Sequence, residues 1–420
     1  MSTTNNDNLL ARRKNVLPNG LGVAFPIFAD KAKNSEIWDV EGKRYIDFIG
    51  GISVLNTGHS HPKIVEAVTE QLQRFSHTSA LIVNYESYVT LCEKLCEKAP
   101  ISGDKKAFLL TTGAEAVENA IKVARAKTGR PGVIAFVGGW HGRTLLAMGL
   151  TGKVIPYKKM FGPMPASIFH APFPAPENGI SEEDALRGLE MIFKADIDPS
   201  EVAAMIVEPV QGEGGFHQLT PSFAKKLREI CDKHGIVLIF DEVQCGFART
   251  GTLFATEQLG VEPDLMTSAK SLAGGFPISA LIGRAEVMDA PLPGGLGGTY
   301  AGSPLGTVAA LKVLEIIEEE NLLERSNQIG TKIANFLTGL NNPKISYVRH
   351  KGAMLAFDLV NSNGEPDVEA TNSLKAKAFE KGLLLASCGM YFNTIRVMVP
   401  LTVEDNVLDE ALAIIEQALA

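Results

Sequence analysis

The chain alternates between short apolar runs and longer stretches in which apolar residues recur at helical spacing. Apolar runs of strand length occur at residues 107–110, 133–137, 202–207, 236–240 and 278–283. The run at 236–240 is rich in branched residues and bounded by turn signals, as is typical of a strand buried on both faces of a parallel sheet. Helical spacing predicts helices over residues 62–75, 85–98, 116–128 and 305–320. Strands that alternate with helices predict an α/β fold.

The two ends of the chain have other patterns. Residues 37–48 alternate around Glu41 and Gly42, which predicts a β-hairpin, although Glu-Gly is a weaker turn signal than Asn-Gly. Residues 1–30 are expected to form a loosely ordered lead-in with one short helix. The helix at 305–320 is expected to lead out of a large domain into a tail with alternating helical and strand patterns.

Two buried strands are predicted to end in groups of opposite charge. Asp241 follows the run at 236–240, and Lys270 ends the shorter apolar segment that starts after Asp264. Taken alone, Asp241 is equally well explained as a helix N-cap, and Lys270 is better explained as a surface residue. Open α/β sheets, however, bind ligands at the carboxyl ends of their strands. An acid and an amine there indicate pyridoxal phosphate, whose aldehyde bonds to a lysine and whose ring nitrogen pairs with an acid.

Glycine-containing turns follow two other strands. Thr112 and Glu115 match a capping box, so Gly113 begins a helix whose free N–H groups favour a phosphate. An ordinary capped helix is the alternative. Trp140, on a glycine-rich loop after the strand at 133–137, suits stacking on a flat ring, with core filling as the alternative. Arg143, three residues on, could bind a carboxylate through both of its terminal nitrogens.

Other charged residues lie in unusual settings. Glu213 lies among three glycines on a loop that can move, so it could act as a gate, with a solvated loop carboxylate as the alternative. Arg396 lies within the apolar segment 393–400, where a charge usually has a buried partner or a ligand. His59 and His61 lack nearby Cys or carboxylate residues in sequence, so a loop that lines a pocket is favoured over a metal site.

The composition excludes several classes of protein. Hydrophobic residues make up 45% and charged residues 21% of the 420 residues, as in ordinary globular proteins. A net charge of −8 without a run of five like charges argues against nucleic acid and anionic membranes as partners. The apolar runs are much shorter than the ~20 residues that cross a bilayer. A polar N-terminus without a signal pattern and five cysteines without a metal pattern indicate the cytoplasm.

Together these motifs resemble the fold-type I, pyridoxal-phosphate-dependent class III (omega) aminotransferases. The resemblance runs from about residue 20 to the C-terminus and rests on the following segments: Gly113-Ala114, residues 140–144, Glu208-Pro209, residues 241–244, residues 246–251 and residues 268–270. It implies a large domain with a mostly parallel seven-stranded sheet and a smaller α+β domain from the two termini. Residues 1–60 are expected to join the small domain, 61–305 to form the cofactor domain, and 306–420 to complete the small domain.

The resemblance also implies a role for each matching residue. Lys270 would hold the cofactor and move the proton, Asp241 would keep the ring nitrogen protonated, and Gln244 would bond the ring oxygen. The other implied cofactor-binding residues are Gly113, Ala114, Trp140, His141, Glu208, Val243 and Thr299. Gly113 and Ala114 would bind the phosphate, and Trp140 and Val243 would cover the ring faces. Thr299 would reach the phosphate of a neighbouring subunit, which implies a homodimer, with a tetramer left open. No metal is expected.

Within the family, the substrate residues are most like those of enzymes that act on 4-aminobutyrate. Arg143 would bind the distal carboxylate, Arg396 the α-carboxylate of glutamate or 2-oxoglutarate, and Glu213 would cover Arg396 while 4-aminobutyrate is bound. An apolar Ile52 favours a substrate without an α-carboxylate.

The implied reaction converts 4-aminobutyrate and 2-oxoglutarate into succinate semialdehyde and L-glutamate by a ping-pong mechanism. The alternatives are a related aminotransferase acting on 5-aminovalerate, acetylornithine, ornithine or a diamine, a non-transaminating enzyme on the same scaffold, and a binding protein without catalysis.

Overall fold

The computed structural model describes residues 5–420, which form alternating helices and strands. The α-helices are α1 (Asn6–Val16), α2 (Gly50–Ser53), α3 (Pro62–Arg74), α4 (Glu86–Lys98), α5 (Gly113–Thr128), α6 (Leu145–Leu150), α7 (Glu182–Ala195), α8 (Pro221–His234), α9 (Ala285–Met288), α10 (Pro304–Glu319), α11 (Leu322–Gly339), α12 (Val368–Glu380) and α13 (Asp405–Leu419).

The strands are β1 (Ala29–Lys33), β2 (Glu36–Asp39), β3 (Arg44–Asp47), β4 (Lys105–Leu110), β5 (Gly132–Phe136), β6 (Ile168–Ala171), β7 (Val202–Val207), β8 (Val210–Gln211), β9 (His217–Gln218), β10 (Val237–Asp241), β11 (Leu265–Ser268), β12 (Ser279–Arg284), β13 (Ile345–Lys351), β14 (Met354–Leu359), β15 (Leu383–Leu384), β16 (Ala386–Cys388) and β17 (Thr394–Val397). Each of the five apolar runs predicted as strands overlaps one of these strands.

A mixed seven-stranded sheet forms the centre, in the order β4-β12-β11-β10-β7-β5-β6. Strands β6, β5, β7, β10 and β11 pair in parallel, whereas β12 pairs antiparallel with both β11 and β4. Strands β5, β7, β10 and β11 are buried along their whole length, because apolar clusters cover both faces of the sheet. The predicted α/β class and mostly parallel sheet are therefore confirmed.

Local signals place the helix that follows β4. Thr112 Oγ1 accepts a hydrogen bond from the Glu115 N–H, and Glu115 Oε2 accepts one from the Thr112 N–H at 2.9 Å. Gly129 ends the helix in the left-handed region, with φ at +70°. The predicted capping box and glycine stop of α5 are confirmed, and they aim the helix N-terminus at the carboxyl edge of the sheet.

Two smaller sheets lie outside the central one. Strands β2 and β3 form the predicted hairpin and join β1 and β15, so that N-terminal and C-terminal strands share one sheet. The second sheet has the order β13-β14-β17-β16 and contains Arg396 on β17. The division of the chain at residues 60 and 305 remains a prediction. Among the helices of residues 5–420, none has the length and apolarity needed to cross a bilayer.

Candidate active site

The carboxyl ends of the central strands surround a cavity of about 570 Å³. Asp241 ends β10, Lys270 follows β11, and Gly113 starts α5 directly after β4. The cavity is lined by Val54, Thr111, Thr112, Gly113, Ala114, Trp140, His141, Gly142, Arg143, Thr144, Asp241, Val243, Ala269, Lys270, Gly275, Phe276, Pro277 and Ile278. Most of the residues that the sequence assigns to the cofactor thus share one space.

Asp241 is the most tightly held of these residues. Its Oδ2 lies 2.7 Å from His141 Nδ1, while Oδ1 accepts hydrogen bonds from Thr267 Oγ1 at 2.9 Å and the Val243 N–H at 3.1 Å. Burial opposes a charge on His141, but the hydrogen bond and the negative charge of Asp241 outweigh it and raise the pKa of His141. A buried carboxylate next to a readily protonated imidazole provides a strong partner for a protonated ring nitrogen.

Lys270 faces Asp241 from the neighbouring parallel strand. Its Nζ lies 5.9 Å from the centre of the Trp140 ring, and its backbone adopts the left-handed conformation with φ at +48°. Burial lowers the pKa of the Lys270 amine, and the carboxylate of Glu213 opposes that shift only in part. A buried lysine with a depressed pKa is a suitable nucleophile for a carbonyl group.

The start of α5 forms the third side of the cavity. Gly113 and Ala114 line it with the first N–H groups of a helix of 16 residues. A Cβ atom at Gly113 would lie only 3.0 Å from Val243 Cγ1, so a larger side chain would crowd the wall opposite. Free N–H groups and the helix dipole at this position can bind a phosphate.

Glu208 positions the loop that carries Trp140 without lining the cavity. Its two carboxylate oxygens accept hydrogen bonds from the Trp140 N–H at 2.7 Å and the Gly212 N–H at 2.9 Å. Burial raises the pKa of Glu208 to about 7, although the nearby His141 opposes this shift. Glu208 therefore joins the loop after β5 to the loop that bears Glu213.

The residues of this cavity fit pyridoxal 5′-phosphate. The site offers an amine for the aldehyde, a buried carboxylate for the ring nitrogen, a helix N-terminus for the phosphate, and Trp140 and Val243 as ring neighbours. Trp140 Nε1 is buried without a hydrogen-bond partner within residues 5–420.

Besides Glu208, two predicted cofactor residues lie outside the set that lines the cavity. Gln244 is buried below the loop of Gly212, where a Cβ atom at Gly212 would overlap Gln244 Oε1. In the described part of the chain, Gln244 Oε1 has no hydrogen-bond partner. Thr299 is exposed at the surface and does not line the cavity of its own chain. Their assigned contacts remain predictions.

The predicted substrate residues occupy two different surroundings. Arg143 is exposed at the rim of the cofactor cavity, where its guanidinium lies 5.0 Å from the centre of the Tyr157 ring. Arg396 is buried on β17, and its Nη1 donates to Glu213 Oε1 in an ion pair. The Tyr157 hydroxyl donates to Glu213 Oε2 at 3.2 Å. Tyr157 thus contacts Arg143 with its ring and Glu213 with its hydroxyl.

Arg396 and Ile52 line a second cavity of about 510 Å³. Ile52 has φ at +67° and is about half exposed, at 48%. The two residues therefore line one space and are not among the residues that line the cofactor cavity, although Glu213 and Arg396 lie close enough for their charges to act on the Lys270 amine. Burial opposes the charge of Arg396, yet Glu213 outweighs it and raises the arginine pKa, while Arg396 lowers the pKa of Glu213.

The structure adds residues that the sequence did not single out. Thr267 lies directly opposite Asp241 in the parallel register of β10 and β11. Thr267 and Ser268 are polar residues at the end of a short buried strand, and they were the available signal. Tyr157 carries no such signal, because it lies in an irregular segment between α6 and β6. His59 and His61 pair with Asp47 and Glu320 at 2.9 Å and 3.0 Å.

Comparison with known proteins gives one consistent result. The family model "Aminotransferase class-III" matches residues 19–419. The 4-aminobutyrate aminotransferase GabT of Escherichia coli (strain K12) is 53% identical over 416 residues, covering 98% of each chain. The 5-aminovalerate aminotransferase DavT of Pseudomonas putida is 55% identical over 423 residues, covering 100% of this chain and 99% of that protein.

Solved structures agree over the same length. An ornithine aminotransferase from Toxoplasma gondii, whose active site is partially occupied by PLP, has a TM-score of 0.87 at 29% identity and covers 100% of this chain and 95% of that chain. A transaminase from the marine bacterium Virgibacillus has a TM-score of 0.91 at 25% identity, covering 98% of each chain. The likeness in sequence and in fold extends over nearly the whole molecule.

Proposed function

The chain belongs to the class-III aminotransferases, and from that premise we propose that it transfers the amino group of 4-aminobutyrate to 2-oxoglutarate. The products are succinate semialdehyde and L-glutamate. Pyridoxal 5′-phosphate is the cofactor, and an amino donor and a keto acid are the substrates. The observation that carries the choice of donor is the buried ion pair between Glu213 and Arg396.

The ion pair allows one site to bind two substrates of different shape. The acceptor has a carboxylate next to its reacting carbon, whereas 4-aminobutyrate has none at that position. Arg396 serves the first substrate, but without a partner its buried guanidinium would cost several kcal/mol while the second is bound. Glu213 supplies the missing negative charge from a loop flanked by Gly212 and Gly214. This arrangement suits an enzyme that alternates between an ω-amino acid and an α-keto acid.

We assign the chemical roles to residues already described. The bound cofactor supplies an electron sink, which lets the carbon that bears the amine lose a proton. Lys270 Nζ takes that proton, and its depressed pKa leaves the amine able to do so. Asp241, fixed by His141 and Thr267, holds the proton on the ring nitrogen. Arg143, at the cavity rim, binds the distal carboxylate and so orients the reacting amine.

A second donor has an observation in its favour. The relative DavT acts, by its name, on 5-aminovalerate, and it is as similar to this chain as GabT is. 5-Aminovalerate is one methylene longer than 4-aminobutyrate, and one methylene changes discrimination by only ~1–3 kcal/mol. Because Arg143 is exposed, its side chain can move to bind the carboxylate of the longer substrate. We therefore expect 5-aminovalerate to be a slower co-substrate.

A panel of amine donors tests the choice. Purified holoenzyme is mixed with one donor at a time, and the absorbance change of the bound cofactor gives kcat/KM for that half-reaction. We expect 4-aminobutyrate to give the highest value. A tenfold advantage for 5-aminovalerate, ornithine or N-acetylornithine would replace the proposed donor. No spectral change with any amine would instead favour a non-transaminating enzyme.

We infer that the enzyme is a homodimer with shared active sites. Thr299 and Tyr300 are exposed, and apolar side chains near them, Leu81, Ile82 and Leu292, are 63–82% exposed. Exposed apolar groups of this extent favour contact with another protein surface. Thr299→Ala should weaken binding of pyridoxal phosphate while light scattering still shows a dimer. A monomeric, fully active enzyme would disprove the inference.

A further inference from the structure

The second cavity has a distinct chemical character. It lies between the segment before β1, helix α12 and strands β16 and β17. Its lining consists of Ala24, Phe25, Pro26, Ile49, Ile52, Asn372, Lys375, Ala376, Phe379, Leu385, Ala386, Ser387 and Arg396. These described residues include two cations and no carboxylate. Because Glu213 pairs with Arg396, the unmatched positive charge within these apolar walls is that of Lys375, and apolar walls strengthen the attraction of such a charge for anions.

Lys375 is placed on the face of α12 that borders this cavity. Asn372, Lys375, Ala376 and Phe379 all line it, at the spacing of one helix face. Lys375 is half-buried and its Nζ donates to Ser387 Oγ at 2.9 Å. No carboxylate within residues 5–420 forms a salt bridge with it, and burial lowers the pKa of its amine.

Strand pairing brings this lysine to the same wall as Arg396. Ala386 lies opposite Arg396 in the antiparallel pair of β16 and β17, and Ser387 is the next residue. Arg396 is 6% exposed and uses Nη1 for Glu213, whereas its buried Nε has no partner within the described residues. The guanidinium thus has an unused donor and borders a cavity that holds a second cation.

We propose that this cavity admits the dicarboxylate acceptor to Arg396, and that Lys375 binds its carboxylate on the way. The inference rests on the proposed function, because it takes 2-oxoglutarate as the acceptor. That substrate carries two negative charges, whereas 4-aminobutyrate is a zwitterion without net charge. Lys375 therefore favours one of the two substrates that share the site.

The size of the preference follows from Coulomb's law. A unit charge several ångströms from a carboxylate in a largely aqueous space contributes about 1 kcal/mol. One or two carboxylates passing Lys375 therefore give a rate advantage of about threefold to tenfold at low ionic strength. Added salt screens this attraction, so the advantage should shrink as the ionic strength rises.

The test compares Lys375→Met with Lys377→Met. Lys377 is exposed on the same helix and does not line the cavity, so its variant removes the same charge elsewhere. Stopped-flow absorbance of the bound cofactor measures each half-reaction separately. We expect Lys375→Met to lower kcat/KM for 2-oxoglutarate about threefold to tenfold, to lower it less for singly charged succinate semialdehyde, and to leave 4-aminobutyrate unchanged.

Lys375→Arg distinguishes charge from folding, since it should restore most of the rate with 2-oxoglutarate and its salt dependence. Equal rates for the two methionine variants, or equal losses in both half-reactions, would overturn the proposal and leave Lys375 as a tether to Ser387. Failure of the proposed function has a different signature: a wrong acceptor would leave the unmodified enzyme unreactive with 2-oxoglutarate, and a wrong donor would change only the ranking of the amines.

Discussion

The cofactor side and the substrate side of this site are built in opposite ways. Asp241 is 3% exposed at the end of a central strand and is held by His141, Thr267 and a backbone N–H. Arg143 is exposed on a loop and touches only the Tyr157 ring among the contacts described. The chemistry requires atoms that stay in place, whereas two substrates of unequal shape require groups that can adjust.

The two arginines sharpen this difference. Arg396 is fixed on β17, and its buried charge always needs a negative partner, either Glu213 or a substrate carboxylate. Arg143 lies in water and bears no comparable cost when it is unpaired. Glu213 is therefore the movable partner of the buried Arg396. The side chain of the exposed Arg143 can itself move to meet a substrate. Changes on the cofactor side should affect all substrates alike, whereas changes on the substrate side should affect some substrates more than others.

The largest effect is expected from Lys270→Ala. It removes both the covalent attachment and the group that moves the proton, so turnover should fall by about 10⁴-fold or more. Initial rates and cofactor absorbance measure this loss, and both half-reactions should be lost together. Lys225→Ala, at an exposed position, serves as the control. Substantial turnover in the Lys270 variant would contradict the assignment.

Asp241→Asn should have the next largest effect. The amide cannot hold a charge opposite the ring nitrogen, so kcat should fall about 10²–10³-fold in both directions. Thr267→Val removes one hydrogen bond from Asp241 and should cost only about fivefold. Half-reaction kinetics check both values. A smaller loss for Asp241→Asn than for Thr267→Val would show that the carboxylate acts elsewhere.

Arg143→Met should act on carboxylate substrates alone. Charge-assisted hydrogen bonds contribute roughly 1.5–3 kcal/mol, so kcat/KM for 4-aminobutyrate should fall about 10- to 100-fold. n-Butylamine has no carboxylate and should react at the same low rate with both proteins. The melting temperature should not change, because Arg143 is exposed. An equal loss with n-butylamine would remove its role as a carboxylate-binding residue.

Glu213→Ala should have the smallest overall effect, but it should slow the two half-reactions unequally. With 4-aminobutyrate bound, Arg396 is left uncovered, so that half-reaction should slow about tenfold more than the glutamate half-reaction. Glu213→Gln keeps a hydrogen-bond acceptor without the charge and should show part of the same asymmetry. Single-turnover rates with each substrate measure it. Equal losses with both substrates would reject Glu213 as the switch.

The sequence by itself determined the features that depend on local pattern. Apolar runs, the capping box at Thr112 and Glu115, and the charged residues after the strands predicted the α/β sheet and the cluster around Asp241 and Lys270. These predictions succeed because parallel strands bring their carboxyl ends to one edge, whatever the intervening loops contain. The family resemblance added specific roles for Arg143, Glu213 and Arg396, which the sequence pattern had already singled out, without showing their surroundings.

Only the tertiary structure decided that Arg143 and Arg396 line two different cavities. Glu213 and Arg396 are 183 positions apart, and Lys375 of α12 lines the cavity of Arg396, where its Nζ bonds to Ser387 of β16. Tyr157 joins the Arg143 and Glu213 sides from an irregular segment. Gln244 faces the loop of Gly212 although its neighbour Val243 lines the cofactor cavity. Contacts between distant segments depend on packing, and no periodicity in the chain encodes them.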